Sequence, residues 1–257
     1  MTRIHPSSAV DPSAEIGDET EIGPFCHVGP GVVLGKACRL VGHVTIAGPS
    51  VIGSENVFYP YSSIGQRSQD LKYAGEPTHL EIGDRNSFRE FCTVNRGTAP
   101  GAKTVVGHDG NFLAYSHIAH DCTVGNHVIF SNNGTLAGHV IVEDYAVIGG
   151  LSGVHQFCRI GRHSIIGGCT KIVQDVPPYM IADGNPAEVR GVNQVGLERR
   201  GFSSDDAKVL REAYRLLYRA NLNVKQACEK IAAELGTPDV ITHLVSFIES
   251  SQRGIIR

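Results

Sequence analysis

From Ile4 to Ile172 every sixth residue of the chain is a branched or aromatic apolar residue, with three exceptions. The column runs Ile4, Val10, Ile16, Ile22, Val28 and onward to Val154, Ile160, Ile166 and Ile172, and 26 of its 29 positions are Ile, Val, Leu or Phe. Hydrophobic residues make up only 41% of the sequence, so chance does not produce such a column. A period of six matches neither a helix nor an alternating strand. It predicts a parallel β-helix, in which each hexad supplies a short strand and a corner and three hexads close a coil of eighteen residues. Coils would stack about 4.8 Å apart, with like columns forming apolar ladders inside. The period does not fix handedness; the usual rule for parallel crossovers is right-handed.

Neighbouring columns keep the same phase. The residue after the apolar position is often Gly, as at Gly17, Gly23, Gly35, Gly53, Gly83 and Gly107, which suggests a corner with positive φ. Four residues after the apolar position the side chain is usually small, as at Ser8, Thr20, Ser62 and Ala146, and Cys26, Cys38, Cys92, Cys122 and Cys158 share that column. They read as buried fillers. The exceptions to the apolar column, Asp70, Glu76 and Pro100, fall in polar stretches rich in Gly and Pro, which predicts excursion loops near 66–81 and 96–104. The pattern stops at the two prolines of Gln174–Tyr179. A β-helix over 1–190 and a helical domain over 191–257 follow. Within the latter, helices are expected over about 204–220 and 224–235, and from Pro238 after a Thr237 cap.

Composition changes this picture little. Thirty glycines and no tryptophan suit a core of branched side chains, and the net charge of −3 argues against nucleic acid as the main partner. No apolar run reaches the length of a bilayer span and the N-terminus lacks an apolar leader segment, so no stable membrane insertion and a cytoplasmic location are expected. The seven cysteines form no C-x-x-C pair, which fits free thiols.

Candidate chemistry emerges from the coil register. His120, Gly138 and Gln156 are spaced by eighteen and should stack on one edge, with Asp121, His139 and Phe157 beside them and His117 and His155 flanking. Three readings compete for this corner. It could be a set of solvated polar residues. It could be a metal site, since His117-x-x-His120 and His139 offer imidazoles; but no acidic residue completes the set in this frame. It could carry general base catalysis, with an imidazole near its pKa, an orienting Asp121, and a bare Gly138 N–H for an oxyanion.

Several segments resemble one family closely: Gln69–Pro77 (QDLKYAGEP), HIAHDCTVGN from His117, LAGHV from Leu136, VHQF from Val154, QDVPPY from Gln174, GLERRGF from Gly196 and the terminal RGIIR. In this order they resemble the UDP-N-acetylglucosamine O-acyltransferases of lipid A biosynthesis, over essentially the whole chain. The resemblance implies a left-handed β-helix assembled as a homotrimer, with active sites between subunits. It implies transfer of a 3-hydroxyacyl chain from acyl carrier protein to the 3-hydroxyl of UDP-N-acetylglucosamine, without cofactor, metal or covalent acyl-enzyme. His120 matches the general base, Asp121 its orienting partner, and the Gly138 amide the oxyanion donor. Asp70 and Lys72 match sugar and acyl contacts, and His117, His139, His155 and Gln156 line the same cleft. Asn193 and Arg199 match nucleotide and phosphate contacts, and Gly168 the position that limits acyl length. Lys208, Arg211, Arg215 and Arg219, spaced along one helix, form a basic stripe suited to an acidic carrier protein.

Two positions depart from the pattern. Asn95 stands where some members carry histidine, and Val195 where some carry a glutamate near the nucleotide. Some relatives acylate a 3-amino sugar instead, which is the alternative acceptor. The related N-acyltransferase of the same pathway carries an extra N-terminal uridine-binding domain, whereas repeats here begin at Ile4. A γ-class carbonic anhydrase and a purely structural β-helix are the remaining readings. The first would use a different histidine spacing, and the second leaves the stacked histidine corner unexplained.

Overall fold

The computed structural model describes all residues, 1–257. The repeats wind into three parallel sheets of very short strands, which form the faces of a prism. The first face starts at Arg3–Ile4, the second at Ala9–Val10 and the third at Glu15–Ile16. Ladder partners are those of the six-residue frame: Ile4 pairs with Ile22, Ile118 with Leu136 and Leu136 with Val154. Phe58 pairs with Phe88, and Phe88 with Phe112, steps of 30 and 24 residues that exceed a plain coil by 12 and 6. Both insertions are multiples of six, so the apolar phase survives them. They leave the coil as residues 67–78 and 96–102, between the strands Ser63–Gln66 and His79–Ile82 and between Thr93–Asn95 and Lys103–Val106.

The interior is built from the apolar column. Phe58, Phe88, Phe112 and Phe130 stack along the axis at centroid spacings of 5.2, 4.7 and 5.2 Å. These rings fill the prism where other coils use Ile, Val and Leu.

The corners correct one expectation. Gly65 apart, positive φ belongs not to the glycine column but to the residue two positions later, which is rarely glycine: Glu19, His43, Tyr61, Asp121, His139 and Phe157 all adopt it. A left-handed conformation costs an L-residue about 1–2 kcal/mol. Hydrogen bonds between coils offset this; the N–H of His43, for example, donates to the Pro24 carbonyl at 2.9 Å and that of His139 to the His120 carbonyl at 3.1 Å. The glycine column serves close approach instead. A Cβ on Gly17 would lie 2.5 Å from the Gly35 carbonyl carbon, and one on Gly35 as close to that of Gly53.

The small column also does more than fill. Ser8 Oγ donates to the Gly23 carbonyl at 2.6 Å and Thr20 Oγ1 to that of Gly35 at 2.9 Å. Cys38 and Cys122 make the same bond through Sγ, to Gly53 O at 3.1 Å and Ala137 O at 3.2 Å. All seven cysteines are free. Burial pushes the Cys122 thiol up to about 12, so it is inert at neutral pH.

After the last coil an antiparallel hairpin, Met180–Asp183 with Glu188–Val192, extends the first face. Its second strand runs across position 190 into the helical region. Four helices follow: α1 (Gln194–Arg199), α2 (Ser204–Tyr218), α3 (Val224–Leu235) and α4 (Asp239–Glu249). The hairpin and the short α1 have no counterpart in the sequence reading. α2 opens with a capping box of Ser203 and Asp206 and ends two residues before the expected Ala220. α4 has Pro238 at its N-cap without a side-chain cap, so Thr237 does not serve. The C-terminal segment returns to the prism, where the Ile256 N–H donates to the Asp175 carbonyl at 2.9 Å. Arg159 secures α4 by stacking on Phe247 at 4.0 Å.

Candidate active site

The turn between His117–Ile118 on the second face and Thr123–Val124 on the third carries His120 and Asp121. One coil on, the equivalent turn carries Gly138 and His139, and the next carries Gln156 and Phe157. The Phe157 N–H donates to the Gly138 carbonyl at 3.2 Å, completing the stack that the eighteen-residue spacing predicts. Gly138 lies against the imidazole of His120: a Cβ there would stand 2.6 Å from Nε2. Its N–H makes no hydrogen bond within the chain, as is also true of Asn132 and Gln156 at equivalent corners.

His120 is held from one side only. Its Nδ1 lies 2.8 Å from Asp121 Oδ2 and 3.0 Å from Thr98 Oγ1. The Thr98 N–H donates to the other Asp121 oxygen at 3.0 Å, and Thr104 Oγ1 accepts the Asp121 N–H at 2.8 Å. An ionised carboxylate can only accept, so Nδ1 carries a proton, and in the neutral imidazole the lone pair is then on Nε2. Burial alone would raise the Asp121 carboxyl, but hydrogen bonds from Thr98 and His120 outweigh it and hold the group below its ordinary value. The two side chains are 12% and 11% exposed, largely desolvated yet open at the rim.

Thr98, Thr104 and Ser68 escaped the sequence reading. Ser68 Oγ sits 2.7 Å from Thr98 Oγ1 and accepts the Asp70 N–H at 3.2 Å. The two excursions thus meet at the histidine, one through Thr98 and the other through Ser68. For Thr98 and Ser68 the only signal available was their position on loops that interrupt a strict repeat.

The other sequence candidates separate into groups. Asp70 comes to the corner: one of its carboxylate oxygens and a ring nitrogen of each of His120 and His139 lie within 4.8 Å of one another. This overturns the expectation that no acidic residue completes a ligand set, because the frame could not place a loop residue. His139 meets the His120 ring edge-on at 5.3 Å and stacks on Phe157 at 4.7 Å. His117 is engaged by Thr93 Oγ1 at 2.7 Å, and burial, with nearby His120, lowers its pKa. Lys72 is exposed on the first loop, its N–H donating to Asp70 Oδ1 at 2.8 Å. That loop and Asn95 enclose a polar cavity of about 610 Å³ that includes Asp70 and Ser68.

His155 and Gln156 are exposed two coils on, where His155 Nδ1 faces the Gln156 carbonyl at 3.1 Å rather than another histidine. Gly168 lies on a different edge, in the turn between Ile165–Ile166 on the first face and Lys171–Ile172 on the second. Only the Gly150 carbonyl, at 3.4 Å, lies near a Cβ built there. Asn193 and Arg199 are also apart from His120, beside a cavity of about 380 Å³ against the first face with Tyr145, His163 and Arg200. The Asn193 side chain is occupied: Oδ1 accepts the Gly196 N–H at 3.1 Å as the cap of α1, and Nδ2 donates to the His163 carbonyl at 2.8 Å.

Of the basic stripe, Lys208, Arg211 and Arg215 lie on α2, while Arg219 is its C-cap and turns to Tyr214 Oη at 3.1 Å. Arg215 is paired with Glu212 at 2.6 Å, and Arg211 reaches Gln194 Oε1 at 3.3 Å.

A prism of six-residue repeats with an Asp-oriented histidine at one edge defines a hexapeptide-repeat transferase, and the bacterial transferase hexapeptide family (six repeats) matches residues 13–48. The family described as UDP N-acetylglucosamine O-acyltransferase, domain 2, matches residues 175–256. An acyl-[acyl-carrier-protein]–UDP-N-acetylglucosamine O-acyltransferase of Burkholderia lata is 52% identical over 211 residues, 80% of each chain. Among solved structures, the UDP-N-acetylglucosamine O-acyltransferase of Moraxella catarrhalis is 44% identical, with 99% of each chain covered and a TM-score of 0.95. That of Bacteroides fragilis is 39% identical, with 99% of this chain and all of the other covered and a TM-score of 0.97. The chain belongs to the UDP-N-acetylglucosamine O-acyltransferase family. A left-handed coil is consistent with these likenesses.

Proposed function

We propose that this chain moves a 3-hydroxyacyl group from acyl carrier protein to the 3-hydroxyl of UDP-N-acetylglucosamine, the first step of lipid A biosynthesis, with His120 as general base. The observation that carries this reading is the His120–Asp121 pair, whose Nδ1–H is anchored while Nε2 is free at a rim shared with Asp70. Nε2 takes the proton of the sugar hydroxyl as its oxygen attacks the thioester carbonyl. The oxyanion of the tetrahedral intermediate is received by the Gly138 N–H. The C–S bond then breaks, and the imidazolium returns its proton to the departing thiolate. No covalent acyl-enzyme forms in this scheme, and no cofactor takes part.

Asp70, Lys72 and the cavity under the first loop bind the sugar. Asn193 and Arg199 are assigned to the nucleotide, with Asn193 acting through the turn it caps. Their separation from His120 in one chain favours a homotrimer in which neighbouring subunits complete each site, and Gly168, on its own edge, then limits acyl length across the same interface. Lys208, Arg211, Arg215 and Arg219 dock the carrier, and the enzyme works in the cytoplasm as two regions, 1–190 and 191–257.

The test is His120→Ala, which should fold normally yet lose at least about a hundredfold in kcat. Near-normal turnover would sink the assignment. Mass spectrometry of the product formed with a panel of acyl carriers and with both the 3-hydroxyl and the 3-amino acceptor then reads chain length and ester against amide linkage.

A further inference from the structure

We propose that Asp70, His120 and His139 form a binding site for one divalent transition cation, typified by Zn²⁺, and that its occupation inhibits acyl transfer. The inhibitory arm rests on the function proposed above; the binding arm does not.

Three donors of the right chemistry converge from three separate segments: the first excursion loop and two successive coils. Their ligand atoms lie within 4.8 Å of one another. Each of the three keeps one donor atom that makes no hydrogen bond within the chain. His120 Nε2 makes no hydrogen bond within the chain, and the nearest ion-pair contact of His139 Nε2 is Asp121 at 3.7 Å. Asp70 spends Oδ1 on the Lys72 N–H and has a second oxygen to offer.

A second, independent observation points the same way. Ligating histidines ordinarily donate their other ring N–H to a carboxylate, which fixes tautomer and orientation. His120 already does so, through Nδ1 to Asp121 Oδ2 at 2.8 Å. The rings of His120 and His139 stand nearly perpendicular, at 87°, with centroids 5.3 Å apart.

Zinc–ligand distances of about 2.0–2.2 Å place tetrahedral ligand atoms about 3.4 Å apart, so closure needs inward movement of about 1.5 Å at most. Rotation of the half-exposed His139 ring and adjustment of the 67–78 loop supply that. Two imidazoles and one carboxylate favour Zn²⁺, Ni²⁺ or Cu²⁺ over Mg²⁺ or Ca²⁺, which require oxygen-rich sites. The bound ion would take the Nε2 lone pair of His120 and the Asp70 carboxylate together, removing base and sugar contact in one event.

The experiment titrates the full-length, chelator-treated protein with ZnCl₂ against a chromophoric chelator, and with Co²⁺ followed by its visible ligand-field absorption. One ion per chain is expected. Asp70→Asn and His139→Gln should each weaken binding by at least about tenfold, while His5→Gln, at the far end of the prism, should leave it unchanged. UDP-N-acetylglucosamine should raise the apparent Kd for Zn²⁺, and Zn²⁺ should raise the apparent KM for the sugar nucleotide. Unaltered affinity in both Asp70→Asn and His139→Gln, or no stoichiometric binding, overturns the site. Binding without competition by the sugar nucleotide overturns the inhibitory claim. A chain that acylates its sugar but fails to bind Zn²⁺ overturns this inference alone. One that binds Zn²⁺ but acylates neither sugar overturns instead the proposed function.

Discussion

Gly138 packs so closely under His120 that a Cβ at position 138 would stand 2.3 Å from His120 Cε1. The glycine is therefore required by the ring, whatever its own N–H does. Gly138→Ala should displace the imidazole from Asp121 and lower kcat by at least about a hundredfold, the scale of losing a positioned base. Thermal stability should change little, because the clash can be relieved at the rim. A crystal structure of the variant should show the ring rotated. An undisturbed ring with normal kcat would show that the packing does not set the geometry of the base.

Thr98 bridges the two loops to the same histidine, and its side chain and backbone do different things. Oγ1 touches His120 Nδ1 and Ser68 Oγ, whereas the N–H serves Asp121. Thr98→Val removes the first pair and keeps the second. A fall in kcat of about tenfold is expected, smaller than loss of the base itself, with a shifted pH–rate midpoint and little change in either KM. Thr98→Ser should restore most of the rate. An unshifted midpoint with a lowered melting temperature would mean that Thr98 only props the loop.

The contrast between Gly138 and Thr98 marks how far the sequence can be read. A β-helix repeats its geometry every coil, so residues eighteen apart must stack; His120, Gly138 and His139 were legible for that reason. The insertions preserved the phase because their lengths are multiples of six, as the Phe58–Phe88 and Phe88–Phe112 steps show. Residues on the insertions have no lattice to locate them, and Asp70, Ser68 and Thr98 reach His120 through turns that no period encodes. The glycine column misled for a different reason. Both positive φ and close approach favour glycine, and only the backbone distinguishes them: Gly17 is demanded by the carbonyl of Gly35, while Glu19 makes the turn. The resemblance makes Asn193 a nucleotide contact, and a sequence cannot show that its amide is occupied as a helix cap.

Charge on α2 can be divided by what each residue already touches. Arg215 is neutralised by Glu212 and Arg219 is turned to Tyr214, whereas Lys208 has no ion-pair partner and Arg211 hydrogen-bonds the neutral Gln194. Lys208 and Arg211 also line a groove of about 500 Å³ with Leu235. Lys208→Glu with Arg211→Glu should raise the KM for an acidic carrier substrate several-fold and leave that for the sugar nucleotide unchanged. The effect should shrink with added salt, since exposed charges are screened over about 8–10 Å at moderate ionic strength. Equal shifts in both KM values would argue against docking on this face.

His163 offers a pH test that leaves His120 and Asp121 untouched. It is buried between Tyr145 and Tyr179, stacked at 4.7 and 5.9 Å, and Phe202 meets its edge. Burial, with the nearby Arg200 and Arg162, pushes its pKa from 6.5 down to about 4. The folded chain thus keeps it neutral while the unfolded chain protonates it below pH 6.5. Stability from this residue is complete above that value and is lost as pH falls toward about 4, by up to about 3 kcal/mol. Glu143, also held below its ordinary value, loses its contribution only below 4.5. Comparing stability at about pH 7.5 and about pH 5 therefore isolates the histidines. His163→Phe keeps the ring stack and removes the titration, so its stability difference between those conditions should be smaller than the parent's by about 2 kcal/mol. Denaturant melts at both pH values measure this directly, and parallel behaviour of the two proteins would show that His163 is not held neutral by the fold.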